Sequence, residues 1–252
     1  MKQYIFILLI IIALIISNCK TTEKYSLEVP AVSKDEKIFY HTNYCYVFVP
    51  EHKQSKWLAY RLSSDMIEGN TKRSSRFYID SLVTSGTATD SDYSGSGYDR
   101  GHLVPAGDMV FCEIAMKESF YYSNISPQIP AFNRGIWKNL ESNVRNYAKN
   151  LNEIYVVTGP VLTDGLNYIG ENKVSVPKYF YKTILVYNDS IKQGIAFLLP
   201  NERAEKKSVY CYSMSIRELE EILDINFYPD LSRRMSRKIE TVSDTVFWKM
   251  YE

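Results

Sequence analysis

Ser94-Gly95-Ser96-Gly97-Tyr98-Asp99-Arg100-Gly101-His102-Leu103-Val104-Pro105-Ala106-Gly107-Asp108-Met109 puts an acid, a guanidinium and an imidazole within four residues, Asp99 to His102. Three polar groups so close are costly to bury unless they serve one another or a ligand. Gly101 frees the backbone between Arg100 and His102, so the two side chains can be aimed at one ligand from different directions. Imidazole takes a proton near neutral pH and guanidinium suits phosphate oxygens, so together they suggest chemistry on a phosphate. Taken alone, the quartet fits a surface ion pair beside an ordinary strand-end histidine at least as well.

The neighbourhood decides. Further along stand Ser123-Asn124-Ile125-Ser126-Pro127-Gln128 and then Phe132-Asn133-Arg134-Gly135-Ile136-Trp137-Lys138-Asn139-Leu140-Glu141. DRGHLVPAGDM, SNISPQ and an Asn eight residues before a Glu resemble the DNA/RNA non-specific endonucleases, the ββα-metal family, in order and in spacing. The later pieces VVTGPV, VPKYFYKTIL, AFLLPN and SIRELEEILDINFYP resemble the same family, so the likeness covers roughly residues 44 to 230.

That resemblance implies a role for each matching residue. His102 would be the general base that activates water, Asn133 the direct protein ligand of Mg²⁺, and Glu141 the carboxylate that holds metal-bound water. Arg100 would contact the phosphate, and Asn124 stands where the family has an active-site asparagine. Lys72-Arg73-Ser74-Ser75-Arg76-Phe77 resembles a segment with a substrate-facing arginine. Arg73 fits that role, Arg76 replaces it if the alignment slips, and plain surface charges fit as well. The implied activity is sugar-non-specific hydrolysis of DNA and RNA to 5′-phosphate ends, with Mg²⁺, or Mn²⁺ in its place.

Helical geometry bears on the metal pair independently. Trp137, Leu140, Val144 and Tyr147 recur at the spacing of one helical face, which predicts a helix from near Gly135 with this stripe inward. At about 100° per residue, Glu141 lies only some 40° from Trp137, and one more turn backwards puts Asn133 a similar angle to the other side. A carboxylate at the edge of a buried face needs a partner, and a hydrated hard cation is one that fits. An N-cap-like Asn and a Glu paired with Lys or Arg is the plain alternative.

Elsewhere, Tyr44–Val49 and Lys56–Leu62 read as two pairing strands, and Ile154–Val161, Lys178–Tyr187 and Gln193–Leu199 as three more. Residues 84–97 are rich in Ser, Gly, Thr and Asp and read as a loop, while Glu113 to Tyr122 looks helical. His41 and His52, the other two histidines, match no family motif and read as surface residues. The fold expected is α+β: a ββα-metal nuclease with a largely antiparallel sheet flanked by helices.

At the other end, the apolar run Tyr4 to Ile16 is too short to span a bilayer comfortably and reads as a signal-peptide core. Ile16-Ser17-Asn18-Cys19 resembles a bacterial lipobox, with Cys19 as the lipidated residue, although Asn18 replaces the usual small residue before the cysteine. An ordinary cleaved signal and an uncleaved anchor are the alternatives, and all three export the domain. The division expected is a signal peptide over 1–18, a lipid-anchored tether over 19–43 and one nuclease domain over 44–252, with no linker or repeat inside it.

The formal net charge of +1 includes Lys2, so without the signal the chain is close to neutral and lacks a global basic field. Arg233, Arg234, Arg237 and Lys238 cluster near the C-terminus and read as a solvated helix face. Cys45, Cys112 and Cys211 match no metal spacing, which leaves one disulfide with a free thiol, or three thiols. The partners implied are DNA and RNA, the membrane through the lipid anchor, and, as an open assembly, a homodimer. A catalytically inactive, surface-tethered nucleic-acid-binding module is the competing function, but binding phosphate has no use for a base, a metal ligand and a water-holding acid together.

Overall fold

In Cys45-Tyr46-Val47-Phe48 and Trp57-Leu58-Ala59-Tyr60, successive side chains must point to opposite sides of a strand, and both sides are apolar. Such strands need cover on two faces. In the computed structural model, which describes residues 27–252, they lie inside a sheet sandwiched between two apolar clusters.

The sheet has seven strands: β1 (Ile38–Tyr40), β2 (Cys45–Val49), β3 (Gln54–Ser63), β6 (Glu153–Pro160), β9 (Tyr179–Tyr187), β10 (Lys192–Pro200) and β11 (Ser213–Met214). They stand in that spatial order, every neighbouring pair antiparallel. Two two-stranded ribbons stand apart, β4 (Asp99–His102) with β5 (Ile125–Gln128) and β7 (Tyr168–Ile169) with β8 (Val174–Ser175).

On the front face Tyr46, Leu58, Tyr60, Val156, Phe180 and Ile184 meet Trp137, Leu140, Val144 and Tyr147. Those last four belong to, or directly precede, the helix Lys138–Leu151 and are fully buried, as their spacing predicts. Each is worth roughly 2 kcal/mol at most for the apolar surface it removes from water. The stripe therefore fixes the rotation of this helix about its axis, and with it the position of Glu141.

On the back face Cys45, Trp57, Ala59, Val157, Tyr181 and Leu185 meet Ile216, Leu219, Phe227, Tyr228 and Ile239. These come from the helices Ile216–Leu223 and Arg233–Ile239 and the turn between them. Gly194 of β10 lets these helices sit close, since a Cβ on it would lie 2.5 Å from Ile216 Cδ1.

In chain order we label the helices α1 (Ser64–Ile67), α2 (Asp90–Tyr93), α3 (Glu113–Glu118), α4 (Lys138–Leu151), α5 (Ile216–Leu223), α6 (Arg233–Ile239) and α7 (Thr245–Lys249). Several boundaries depart from the sequence reading. The helix expected over Glu113–Tyr122 ends at Glu118, and a capping box at Thr89 and Asp92 folds α2 inside the expected loop. The helix expected from Gly135 starts at Lys138, because Phe132–Trp137 form a π-helical turn broken at Gly135 (φ −109°, ψ −111°). A straight backward extension to Asn133 therefore does not hold, and it is the wider turn that places that residue.

The expected tether also shortens. Residues 27–43 belong to the domain: Ile38–Tyr40 form β1, Glu28 is buried, and Leu27 and Val29 pack on the back cluster. The polar bulk of this segment hid a few apolar anchors. The Tyr4–Ile16 run and Cys19 lie outside the described residues, among which no helix is long and apolar enough to cross a membrane. Cys45, buried, and Cys211, exposed, are both free thiols.

Candidate active site

The β4–β5 ribbon and the helix α4 frame the site. Gly101 pairs with Ser126 and His102 with Ile125, and a Cβ on Gly101 would lie 2.2 Å from Gln128 Cδ. Glycine here serves close packing against a buried glutamine as well as backbone freedom. The Gln128 amide is buried with both Nε2 and Oε1 unpartnered among the described residues.

His102 is 8% exposed, and its Nε2 is buried with no hydrogen-bond partner among the described residues. Phe120 meets the imidazole edge-on at 4.7 Å and Phe77 lies 5.6 Å away. Trp137 Nε1 donates to the His102 carbonyl at 3.4 Å, tying the strand to the root of α4. Burial, and then the positive charge of Arg73, lower the imidazole pKa to about 3. The ring is thus neutral at physiological pH, and a phosphate anion beside it would offset the Arg73 charge and raise its basicity from this value.

Two arginines frame this imidazole. Arg73 lies over the Phe120 ring at 5.1 Å and acts electrostatically on both His102 and Glu141. Arg76 closes a small turn with Ser74 through its backbone N and O. Arg100 lies over the rings of Phe77 (5.6 Å) and Tyr93 (5.4 Å), and donates to Tyr122 Oη and the Asp90 carbonyl. The Asp90 carboxylate 3.1 Å away completes its clamp.

Asn133 Nδ2 donates to Asp99 Oδ2 at 2.9 Å, and Arg134 grips the same carboxylate through Nε (2.8 Å) and Nη2 (2.6 Å). Burial alone would raise the Asp99 pKa, but these bonds outweigh it and hold the group ionised. With Nδ2 committed, Asn133 has its carbonyl Oδ1 left, the hard oxygen that Mg²⁺ prefers. Asp99 thereby acts through Asn133 and not as a partner of Arg100, as adjacency suggested.

Behind Glu141 lies a group of buried charges that sequence reading missed. Asp108, fully buried, accepts from Tyr60 Oη at 2.8 Å and pairs with Arg145 at 3.0 Å. Lys182, also fully buried, donates to the Leu103 carbonyl at 3.4 Å and sits 4.8 Å above the Trp137 ring. Burial pushes the Glu141 carboxyl up and the Lys182 ammonium down, against the attraction between them. Arg145 was legible in principle, one helical turn beyond Glu141 on the same face.

Asn124 has a different duty from the one its motif suggests. Its buried side chain accepts from Val104 N (2.8 Å) and donates to the carbonyls of Val104 (2.9 Å) and Ser119 (2.7 Å). With its amide so committed, it holds the segment after His102 in place and offers little to a substrate. The residues present do fit a hydrated divalent ion. His102 Nε2 and the Gln128 amide are orphaned polar atoms among the described residues, and Asn133 Oδ1 and the Glu141 carboxylate each offer a hard oxygen of the kind such an ion takes. Among the described residues no three His, Cys, Asp or Glu groups converge as a cage.

Residues 22–234 match the DNA/RNA non-specific endonuclease family. The mitochondrial nuclease EXOG of Danio rerio is 32% identical over 81% of this chain, which spans 64% of that protein's length. Nuclease C1 of Cunninghamella echinulata var. echinulata is 36% identical over 70% of this chain and 77% of its own. Among solved structures, an endonuclease G in complex with EndoGI superposes with a TM-score of 0.73 at 27% identity, covering 79% of this chain and 88% of that one. The α+β architecture with its antiparallel sheet is therefore that of a ββα-metal nuclease, in a family typically dependent on metal. With a match over so much of its length, this chain belongs to the DNA/RNA non-specific endonuclease family.

Proposed function

We propose that the chain is an exported, Mg²⁺-dependent nuclease that cleaves DNA and RNA alike with His102 as general base and leaves 5′-phosphate ends. The observation that carries this reading is the buried, neutral Nε2 of His102, without a partner among the described residues, near Arg73 and against the same Phe77 ring as Arg100.

In this mechanism His102 takes a proton from water as the water oxygen attacks phosphorus. The P–O3′ bond breaks, its electron pair leaves with the 3′ oxygen, and that oxygen takes up a proton from solvent. Arg100, its guanidinium fixed by Tyr122 and Asp90, neutralises charge on the non-bridging oxygens, with Arg73 on the other side. Asn133 Oδ1 would hold the ion, Asp99 orients Asn133, and Glu141 would accept hydrogen bonds from the ion's hydration shell. The divalent cation, when bound, supplies charge neutralisation at the phosphoryl group and the departing oxygen. No groove-reading motif accompanies these groups, so sequence preference is slight. Export by the Tyr4–Ile16 run, with a lipid on Cys19, would hold the domain outside the cytoplasm.

Purified residues 20–252 with Mg²⁺ are expected to nick plasmid DNA and degrade RNA, to stop on adding EDTA, and to leave 5′-phosphate ends that a ligase accepts. Substrate left intact by ample protein with Mg²⁺ or Mn²⁺ would overturn the reading in favour of the binding module. Asn133→Ala should weaken Mg²⁺ binding and recover part of its rate at saturating metal, whereas His102→Ala should keep Mg²⁺ binding and recover nothing.

A further inference from the structure

The basic cluster near the C-terminus has no part in this chemistry. Arg233, Arg234, Arg237 and Lys238 are exposed on α6 and line one open hollow. At about 100° per residue they cover an arc of about 140°, opposite the inward Met235 and Ile239. Among the described residues none of the four stands in an ion pair. Glu240 and Glu220, the buried acids of this layer, are both held by Arg217.

Two placements give this face its partner. The first is that α6 packs on β10 in the back layer, whereas His102, Glu141 and the arginines beside them stand on the front of the sheet. A nucleic-acid strand held at α6 is on the wrong side of the sheet to be cut. The second is where the chain comes into the fold. Leu27 and Val29 pack on the same back cluster as Met235 and Ile239, Ala31 N donates to the Asn226 carbonyl at 2.8 Å, and buried Glu28 acts on Tyr155 and Tyr228. Cys19 precedes Leu27 by eight residues (27 − 19 = 8), a reach of at most about 28 Å.

We propose that the α6 face is a docking surface for the headgroups of an anionic phospholipid bilayer. An N-terminal anchor of the kind proposed above delivers this face to the membrane, and four unpaired cations next to an anionic surface add attraction within a Debye length. Docked in this way, the domain turns its catalytic face away from the bilayer, toward substrates in solution. The orientation rests on the anchoring reading; the attraction of α6 for anionic headgroups does not.

The test uses the full chain and a variant with Arg233→Gln, Arg234→Gln, Arg237→Gln and Lys238→Gln together. Both are mixed with vesicles of phosphatidylcholine alone, or of phosphatidylcholine with phosphatidylglycerol, and α6 amide hydrogen exchange is followed in the protein that pellets. The expected result is slowed exchange in α6 with anionic vesicles only, abolished by the four substitutions and by high salt acting on the parent. If the anchor does not form, the chain stays out of the neutral pellet, and sedimentation itself becomes the readout. The parent then pellets with anionic vesicles and the variant binds them roughly 100-fold more weakly or worse. Equal α6 exchange in the two vesicle types, or equal sedimentation with both where the anchor does not form, would overturn the proposal. So would protection of α6 by a non-hydrolysable phosphorothioate oligonucleotide but not by anionic vesicles, which would make the face a nucleic-acid site. Parental cleavage of a short duplex by the variant shows that it is folded.

Discussion

His41 and His102 sit in nearly the same kind of place and have opposite inventories. Each is sheltered by aromatic rings: Tyr46 and Tyr121 stack on His41 at 5.5 and 4.9 Å, and Phe120 and Phe77 lie 4.7 and 5.6 Å from His102. His41 Nε2 meets Asp80 Oδ2 at 2.8 Å, and its Nδ1 lies 3.8 Å from Glu118 Oε1. Asp80 in turn accepts from Tyr46 Oη at 2.6 Å and from Ser123 Oγ at 2.5 Å. His102 Nε2 has no such partner among the described residues. Buried polar groups are normally satisfied, so the partners of His41 mark it as part of the scaffold, whereas the open Nε2 of His102 leaves room for a ligand. Burial and aromatic neighbours do not separate the two; hydrogen-bond partners do.

The sharpest way to break this comparison is at His102. His102→Ala removes the proton acceptor, and single-turnover cleavage is expected to fall by roughly 10²–10⁴-fold. The same change deletes no hydrogen bond of Nε2 but leaves a cavity between Phe120 and Phe77, so stability in chemical denaturation should fall by about 2 kcal/mol, and cleavage is compared per folded molecule. Near-parental cleavage would remove His102 from the centre of the mechanism. Glu141→Gln should be milder, because an amide oxygen still accepts a hydrogen bond from the ion's hydration shell.

The reverse outcome is expected at the other histidine's partner. Asp80→Asn strips the charge that His41, Tyr46 and Ser123 share, and removing one member of a buried ionic network costs about 3 kcal/mol. Cleavage per folded molecule, measured well below the melting temperature, should remain parental. A loss of activity at unchanged stability would contradict the scaffold assignment.

Acid separates charge from geometry in the Asp80 network. Burial alone would raise the Asp80 pKa, but the hydrogen bonds from His41, Ser123 and Tyr46 outweigh it and bring the group down to about 2. A carboxyl whose folded pKa lies below its unfolded value stabilises the fold above the unfolded value, near pH 4. That contribution, about 2 kcal/mol, is lost as pH falls from 4 through 2. The stability gap between parent and Asp80→Asn should therefore narrow by this amount between pH 5 and pH 2 in urea titrations. A constant gap would show that the network is held by geometry and not by charge.

What the sequence revealed and what it hid divide along physical lines. Trp137, Leu140, Val144 and Tyr147 were legible as a buried stripe because apolar residues at helical spacing leave one interpretation. Arg100, His102, Asn133 and Glu141 could be singled out because short-range motifs carry them, on β4, on the π-helical turn before α4 and on the first turn of α4. Lys182 was not, although it stands among Phe180, Ile184 and Val186, alternate residues that face the front core. A lysine on the buried side of a strand is the signal that could have found it, but only with its facing charges Asp108 and Glu141 in view. Asp80 and Glu118 meet His41 across 39 and 77 residues of chain (118 − 41 = 77), so its burial could not be read locally, and its assignment to the surface is corrected.

His52 supplies the smallest test and marks where partner inventories stop mattering. It sits in the turn between β2 and β3, where its Nδ1 shares one hydrogen bond with Ser175 Oγ at 2.8 Å. It is partly buried, so the expected surface position is corrected here as well, though less than for His41. Its carbonyl accepts from Ser175 N at 3.2 Å, and that backbone bond survives any change of side chain. His52→Ala therefore loses one neutral hydrogen bond, about 1 kcal/mol, and leaves cleavage unchanged. Ser175→Ala should cost a similar amount, and the double variant little more than either alone, since both remove the same bond. Strict additivity would mean that the bond contributes nothing. A tenfold fall in cleavage would mean that a histidine with a satisfied ring nitrogen still serves the reaction, and the rule drawn from His41 and His102 would not hold.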